Sequence, residues 1–84
     1  MRYKVSILRG AQKELANLPM EAYEQVKNAI LSLAEEPRPI GCKKLTARQG
    51  WRIRANDYRI LYEINDAQRT ILVMHIGHRR DVYR

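Results

Sequence analysis

The stretch Trp51–Tyr62, WRIRANDYRILY, constrains this chain more than any other. Asn56-Asp57 suits a tight two-residue turn, and residues of alternating character flank it on both sides. The stretch therefore reads as a hairpin that pairs Ala55 with Tyr58, Arg54 with Arg59, Ile53 with Ile60, Arg52 with Leu61 and Trp51 with Tyr62. Side chains alternate across a sheet, so Trp51, Ile53, Ala55, Tyr58, Ile60 and Tyr62 share a core-facing side. Arg52, Arg54, Arg59 and Leu61 share the other. A lone arginine on the wet face of a half-buried sheet is ordinary, because its stem covers apolar surface while its head stays in water. Two like charges placed directly opposite are costly, so the Arg54/Arg59 pair reads either as two such solvated stems or as a site with an anion between them, and the rest of the chain has to decide.

The rest of the chain supplies what this hairpin packs against. Arg2–Leu8 alternates with Tyr3, Val5 and Ile7 on one side and reads as a first strand. A short helix is expected from about Ala11 to Asn17, with Leu15 and Leu18 facing inward. Pro19 suits the first position of a second helix, where its fixed φ fits and its missing N–H costs nothing. Ala22, Val26, Ala29, Ile30 and Leu33 recur at three- and four-residue steps, an amphipathic stripe. Pro37 forbids continuation, and residues 37–50 read as a connection punctuated by Pro39, Gly41 and Gly50. The hairpin runs on through Glu63 and Ile64, Asn65-Asp66-Ala67-Gln68 is a turn, and Thr70–His78 is a last strand. That strand is apolar on both faces and belongs in the middle of the sheet. The expected fold class is α+β: an N-terminal strand, a two-helix hairpin, then a mostly antiparallel three-strand meander completing one sheet, in one domain over residues 1–84.

Charge narrows the function classes. The net charge is +7, and it is unevenly placed. Residues 1–40 hold Arg2, Lys4, Arg9, Lys13, Lys27 and Arg38 against five acids, whereas residues 41–84 hold ten cations against four. In the second half only Lys43 and Lys44 are lysines. Guanidinium is the planar, bidentate phosphate binder, so an Arg- and Tyr-rich basic half points to nucleic acid or another polyanion. No apolar run approaches the roughly 20 residues of a membrane span. The opening MRYKVSIL is too short and charged for a secretory signal, and the single cysteine allows no intrachain disulfide, so the expected compartment is the cytoplasm.

Metal and cofactor chemistry find little here. Cys42, His75 and His78 are the only soft or imidazole ligands, and His75, inside an apolar strand, reads as a packed core histidine. No phosphate loop or nucleophile motif appears. The end of the last strand offers more. His78, Arg79 and Arg80, with Tyr83 shortly after, can be delivered beside the hairpin's arginines, where Tyr83 would be a stacking plate for a base. Lys43 and Lys44 are either further phosphate contacts or a solvated pair. Such a set suits RNA cleavage by 2′-hydroxyl attack on the adjacent phosphorus, with guanidinium groups aimed at the growing phosphoryl charge. Proton transfer is its weak part, since arginine and tyrosine are poor bases at neutral pH and His78 is the one imidazole in the set.

WRIRANDYRILYEI followed by IGHRRDVYR, together with the two-helix first half and the PRP turn before KKL, resembles the RelE branch of the RelE/ParE toxin superfamily over essentially the whole chain. The resemblance implies a RelE-like, microbial-ribonuclease-like sheet and an mRNA interferase that cuts mRNA on the ribosome without a metal or cofactor. It implies a cognate RelB-like antitoxin as partner, with DNA met only through the toxin–antitoxin complex and no membrane. The family's basic hairpin residues, second-strand arginine, arginine after the last strand and C-terminal tyrosine match Arg52, Arg54, Arg59, Arg79 and Tyr83. Together with the residue reading, this makes Arg54, Arg59, Arg79 and Tyr83 the candidate catalytic set. Arg52, Lys43, Lys44, His78 and Arg80 are the candidate RNA- and phosphate-binding set. Some members carry lysines where this chain has Arg52 and Arg54, and lysine is tuned into a base more readily than arginine. Two other readings stay open: a ParE-like inhibitor of DNA gyrase without nuclease activity, and a degenerate member that only binds its antitoxin.

Overall fold

The computed structural model describes residues 2–46 and 48–78 of the 84-residue chain. Strand β1 is Lys4–Ile7, helix α1 Arg9–Ala16, helix α2 Met20–Ser32, and strands β2 to β5 are Lys43–Lys44, Trp51–Ala55, Tyr58–Asn65 and Thr70–His78. They form one five-stranded mixed sheet in the order β1-β5-β4-β3-β2. The expected antiparallel meander is β3-β4-β5, and its first pair has the expected register, from Ala55 opposite Tyr58 to Trp51 opposite Tyr62. Strand β1 runs parallel to β5, which makes β5 central as expected.

Local chemistry accounts for most boundaries. Asn56 adopts a φ of 59°, the left-handed conformation that a two-residue hairpin turn requires and that asparagine tolerates. At the β4–β5 turn the Asn65 side-chain oxygen accepts from the Gln68 N–H at 3.0 Å, and Arg69 takes a φ of 55°. Helix α1 starts at Arg9, two residues earlier than expected, and takes Gly10 inside it. Pro19 is the residue before α2 rather than its first residue. The chain then closes with tight turns at Leu33 and Ala34, whose N–H groups donate to Ile30 and Leu31, before Pro37 prevents any extension. The segment expected to be only a connection contains β2, which pairs Lys43 with Arg52 and Lys44 with Trp51.

The helices cover one face of the sheet. Ala11, Val26, Ile30 and Leu33 meet Ile53, Ala55, Ile60, Tyr62, Ile71, Val73 and Ile76 in a single cluster, so the α2 stripe read from the sequence does face the core. Tyr62 is fully buried, and its hydroxyl donates to the Pro37 carbonyl at 2.6 Å, tying the chain after α2 to the middle of β4. Burial, reinforced by neighbouring Cys42, pushes this phenol well above its usual range.

The end of the sheet away from the Asn56 turn is closed by polar contacts. Asp66 accepts from the Tyr3 hydroxyl at 2.7 Å and pairs with Arg38 at 2.9 Å, while the Arg38 guanidinium lies 5.0 Å from the Trp51 ring centre. The Arg38 hydrogen bond, followed by that of Tyr3, holds the Asp66 carboxyl below the ordinary carboxylate range. A lowered native pKa contributes stability that is complete above the unfolded value, about 4, and is lost as pH falls through the native one. Melting curves of wild type and Asp66→Asn should therefore separate at neutral pH and converge as the pH drops below that value. A gap of constant size down to the acid end would rule this linkage out.

Candidate active site

The face of the sheet turned away from the helices is organised by rows of paired residues. One row runs Lys43, Arg52, Leu61, His75 across β2, β3, β4 and β5, and the next runs Arg54, Arg59, Gly77. The opposed Arg54/Arg59 pair expected from the sequence is present in the register. Arg54 is exposed and Arg59 half-buried, and a small cavity of about 90 Å³ opens among Arg54, Asn56, Asp57, Tyr58 and Arg59. Two guanidinium groups next to a recess form an electropositive focus, the kind of fixed charge that binds a phosphate or stabilises charge developing on one.

Arg52 differs from its neighbours. It keeps only 8% of its surface in water, so it is not a cation on a freely solvated face. Leu61 opposite it is buried to 1%, and bulged Met74 is buried as well, both outside the helix-side cluster. Leu45 and Thr46 lie beside Arg52, and Leu45, Arg48 and Gly50 gather at Met74. The Leu45 N–H donates to the Gly50 carbonyl at 3.0 Å, and Leu45 and Met74 side-chain carbons come together at Gly50. Arg48 reaches over the same place, with a terminal nitrogen 3.7 Å from the Met74 sulfur. Sequence reasoning did not single out Arg48; the one available signal was its position in a basic, Gly-punctuated segment directly before the hairpin. Lys43 and Lys44 are both exposed, and strand pairing sends them to opposite faces, so Lys43 alone joins the arginine row.

The two histidines exchange the places expected of them. Strict alternation from Val73 would turn His75 into the core and His78 toward the arginines. Between Val73 and His75, however, β5 carries an extra residue: Tyr62 pairs with Val73 while Leu61 pairs with His75, which leaves Met74 as a bulge. Beyond it the alternation is inverted. Ile76 points into the core, His78 sits opposite Tyr58 with the two rings edge to face at 5.7 Å, and His75 falls in the row of Arg52. His75 is therefore no packed core histidine, since its side chain is 53% exposed. His78 stands on the side of the sheet opposite Arg54 and Arg59. Arg79, Arg80 and Tyr83 lie outside the described residues.

A cavity of about 630 Å³ lies at the other end of the sheet and is lined by Arg38, Lys44, Trp51, Glu63 and Asp66 among others. Its charges are mixed and partly paired with each other, which sets it apart from the arginine face. Among the described residues, no three of His, Cys, Asp and Glu come together to hold a metal ion.

Comparison with known proteins agrees with this architecture. Residues 5–83 match the family model described as the ParE toxin of type II toxin–antitoxin systems, parDE. The chain is 31% identical over 86 residues to Toxin RelG of Mycobacterium tuberculosis, a match that spans 100% of this chain and 99% of that protein. It superposes with a TM-score of 0.84 on a chain of the archaeal RelE-RelB complex from Pyrococcus horikoshii, at 27% identity and covering 98% of this chain and 100% of that one. Against a chain of the toxin-antitoxin complex RelBE2 from Mycobacterium tuberculosis the TM-score is 0.82, at 28% identity, covering 94% and 100%. The family-model match over residues 5–83 and the match to Toxin RelG along the whole chain make the chain a member of the RelE/ParE toxin family of type II toxin–antitoxin systems.

Proposed function

We propose that this toxin is an endoribonuclease that cleaves mRNA on the ribosome without a metal ion and is neutralised by a cognate RelB-like antitoxin in the cytoplasm. The observation that carries the reading is the Arg54/Arg59 pair, held face to face on the side of the sheet that the helices leave free. In such a reaction the 2′-hydroxyl attacks the adjacent phosphorus, the bond to the 5′-oxygen breaks, and negative charge accumulates on the phosphoryl oxygens. Arg59, held in the middle of the sheet, stabilises that charge, and exposed Arg54 holds the scissile phosphate with it. Buried Arg52 and exposed Lys43 continue the cationic row and guide the strand. Arg79 and Tyr83, which follow β5 in sequence, complete the phosphate and base contacts in the way the family resemblance implies, and Arg80 adds a further phosphate contact. The relatives solved as RelE-RelB and RelBE2 complexes support an antitoxin as partner. An acidic partner segment laid over the arginine face would complement its charge.

The match to a family model named for ParE favours a second reading, a toxin that inhibits DNA gyrase and cuts no RNA. The two part cleanly in one assay: purified protein with a defined mRNA, free and on programmed ribosomes, in buffer with EDTA. Cleavage that survives chelation supports the nuclease, and dependence on ribosomes places the cut in translating mRNA. Intact RNA in both settings, with gyrase supercoiling inhibited, would replace the nuclease reading with the second one.

A further inference from the structure

Around Arg54 and Arg59 the described residues offer one carboxylate, Asp57 at the turn, and one imidazole, His75. His75 stands in the same cross-strand row as Arg52 and diagonally next to Arg59, across one strand. Its Nδ1 lies 3.8 Å from Oε1 of Glu14, on α1. That carboxylate is itself anchored, because Oε1 accepts the Ile76 N–H at 2.9 Å on the edge of β5 that β1 does not reach. The charged groups facing the imidazole are Glu14 from α1 and, diagonally on β4, Arg59, with Arg52 two strands away along its row and Lys43 three. A carboxylate on the Nδ1 side of the ring favours an N–H there and leaves Nε2, on the opposite side, facing away from Glu14.

We propose that His75, oriented by Glu14, is the proton-transfer residue of this site, a role that rests on the nuclease reading above. Nε2 takes the proton of the attacking 2′-hydroxyl as the new oxygen–phosphorus bond forms. The bond from phosphorus to the 5′-oxygen breaks, and that oxygen takes up a proton from the imidazolium or from water. The products are a 2′,3′-cyclic phosphate and a 5′-hydroxyl end, with no oxidant, reductant or metal required. Glu14 is a positioning residue, since it acts on the imidazole and not on RNA. His78, turned to the Tyr58 side of the sheet, has no part in the proton transfer.

The test is the pH–rate profile of single-turnover cleavage for wild type, His75→Gln, Glu14→Gln and Arg59→Ala. Wild type should gain rate with pH across about 5 to 8, where imidazole ordinarily loses its proton. His75→Gln should be slower by about 100-fold, within the usual reach of general base catalysis, and its profile should be flat across that interval. Glu14→Gln preserves an acceptor for the Ile76 N–H while removing the charge, and should cost on the order of 10-fold while keeping the pH-dependent limb. Because His75 is exposed, His75→Gln should melt with the wild type, so lost rate cannot be blamed on lost fold. If wild type cleaves, Arg59→Ala does not, and His75→Gln matches wild type in rate and profile, the His75 proposal falls alone. If wild type cuts no RNA in any setting, the nuclease reading falls and the role of His75 goes with it.

Discussion

Replacing Arg59 with alanine should lower the rate of RNA cleavage by about 10² to 10³-fold, the usual effect of deleting one preorganised donor to a developing oxyanion. The expectation follows from where the side chain stands. Arg59 is half-buried in β4, flanked by β3 and β5, so its guanidinium is held by the sheet and shielded from water on one side. A fixed charge in partly dehydrated surroundings acts more strongly on a phosphoryl group than a mobile one in bulk water. Arg54 is exposed, and Arg54→Ala should therefore cost less, about 10-fold. Arg59→Lys keeps the charge without the planar fork and should fall between wild type and Arg59→Ala. Removing one of two opposed cations relieves repulsion, so the alanine variant should still fold, which a thermal melt would read separately. Cleavage by Arg59→Ala within about 3-fold of wild type would mean that the opposed pair is not the catalytic centre.

Gly50→Ala should destabilise the protein by about 2–4 kcal/mol, made up of roughly 1–3 kcal/mol of backbone strain and a steric conflict. Gly50 has a φ of 132°, which side-chain-bearing residues rarely adopt. A Cβ there would lie 2.9 Å from the Tyr62 carbonyl oxygen and 3.2 Å from the ends of both Leu45 and Met74. The two side chains can yield, but the carbonyl belongs to the middle strand of the meander and cannot. Gly50 would have to move away from the sheet, and with it Leu45, which is hydrogen-bonded to it and lies beside Arg52. For a domain with a total stability of about 5–10 kcal/mol this is a large share, easily read from the midpoint of urea unfolding. The surviving folded fraction should also cleave more slowly, because Arg52 loses its fixed position. An unchanged midpoint would show that the connection is not packed against the sheet in this way.

Much of this molecule was legible in twelve residues. The Asn56-Asp57 turn, the alternation on either side of it and an even loop length together determine the hairpin register, its core face and the opposition of Arg54 to Arg59. The three- and four-residue stripe of α2 likewise determined which side of that helix meets the sheet. These are properties of local geometry: a two-residue turn admits one register, and a helix with one apolar side buries it. Tertiary structure decided the rest. Nothing within residues 4–7 names β5 as their parallel partner, because that pairing depends on where the two helices return the chain. Nothing in Lys43-Lys44 announces a strand, and Leu45 and Thr46 come beside the buried Arg52 only when the chain folds. The histidines make the point most sharply. Ile71-Leu72-Val73-Met74-His75-Ile76 shows an apolar strand but not the bulge, since an extra residue is invisible until the neighbouring strand supplies something to count against. That one residue inverts the alternation, turns His78 to the helix side and brings His75 to the arginines, where packing, and not pattern, gives this face its only imidazole among the described residues.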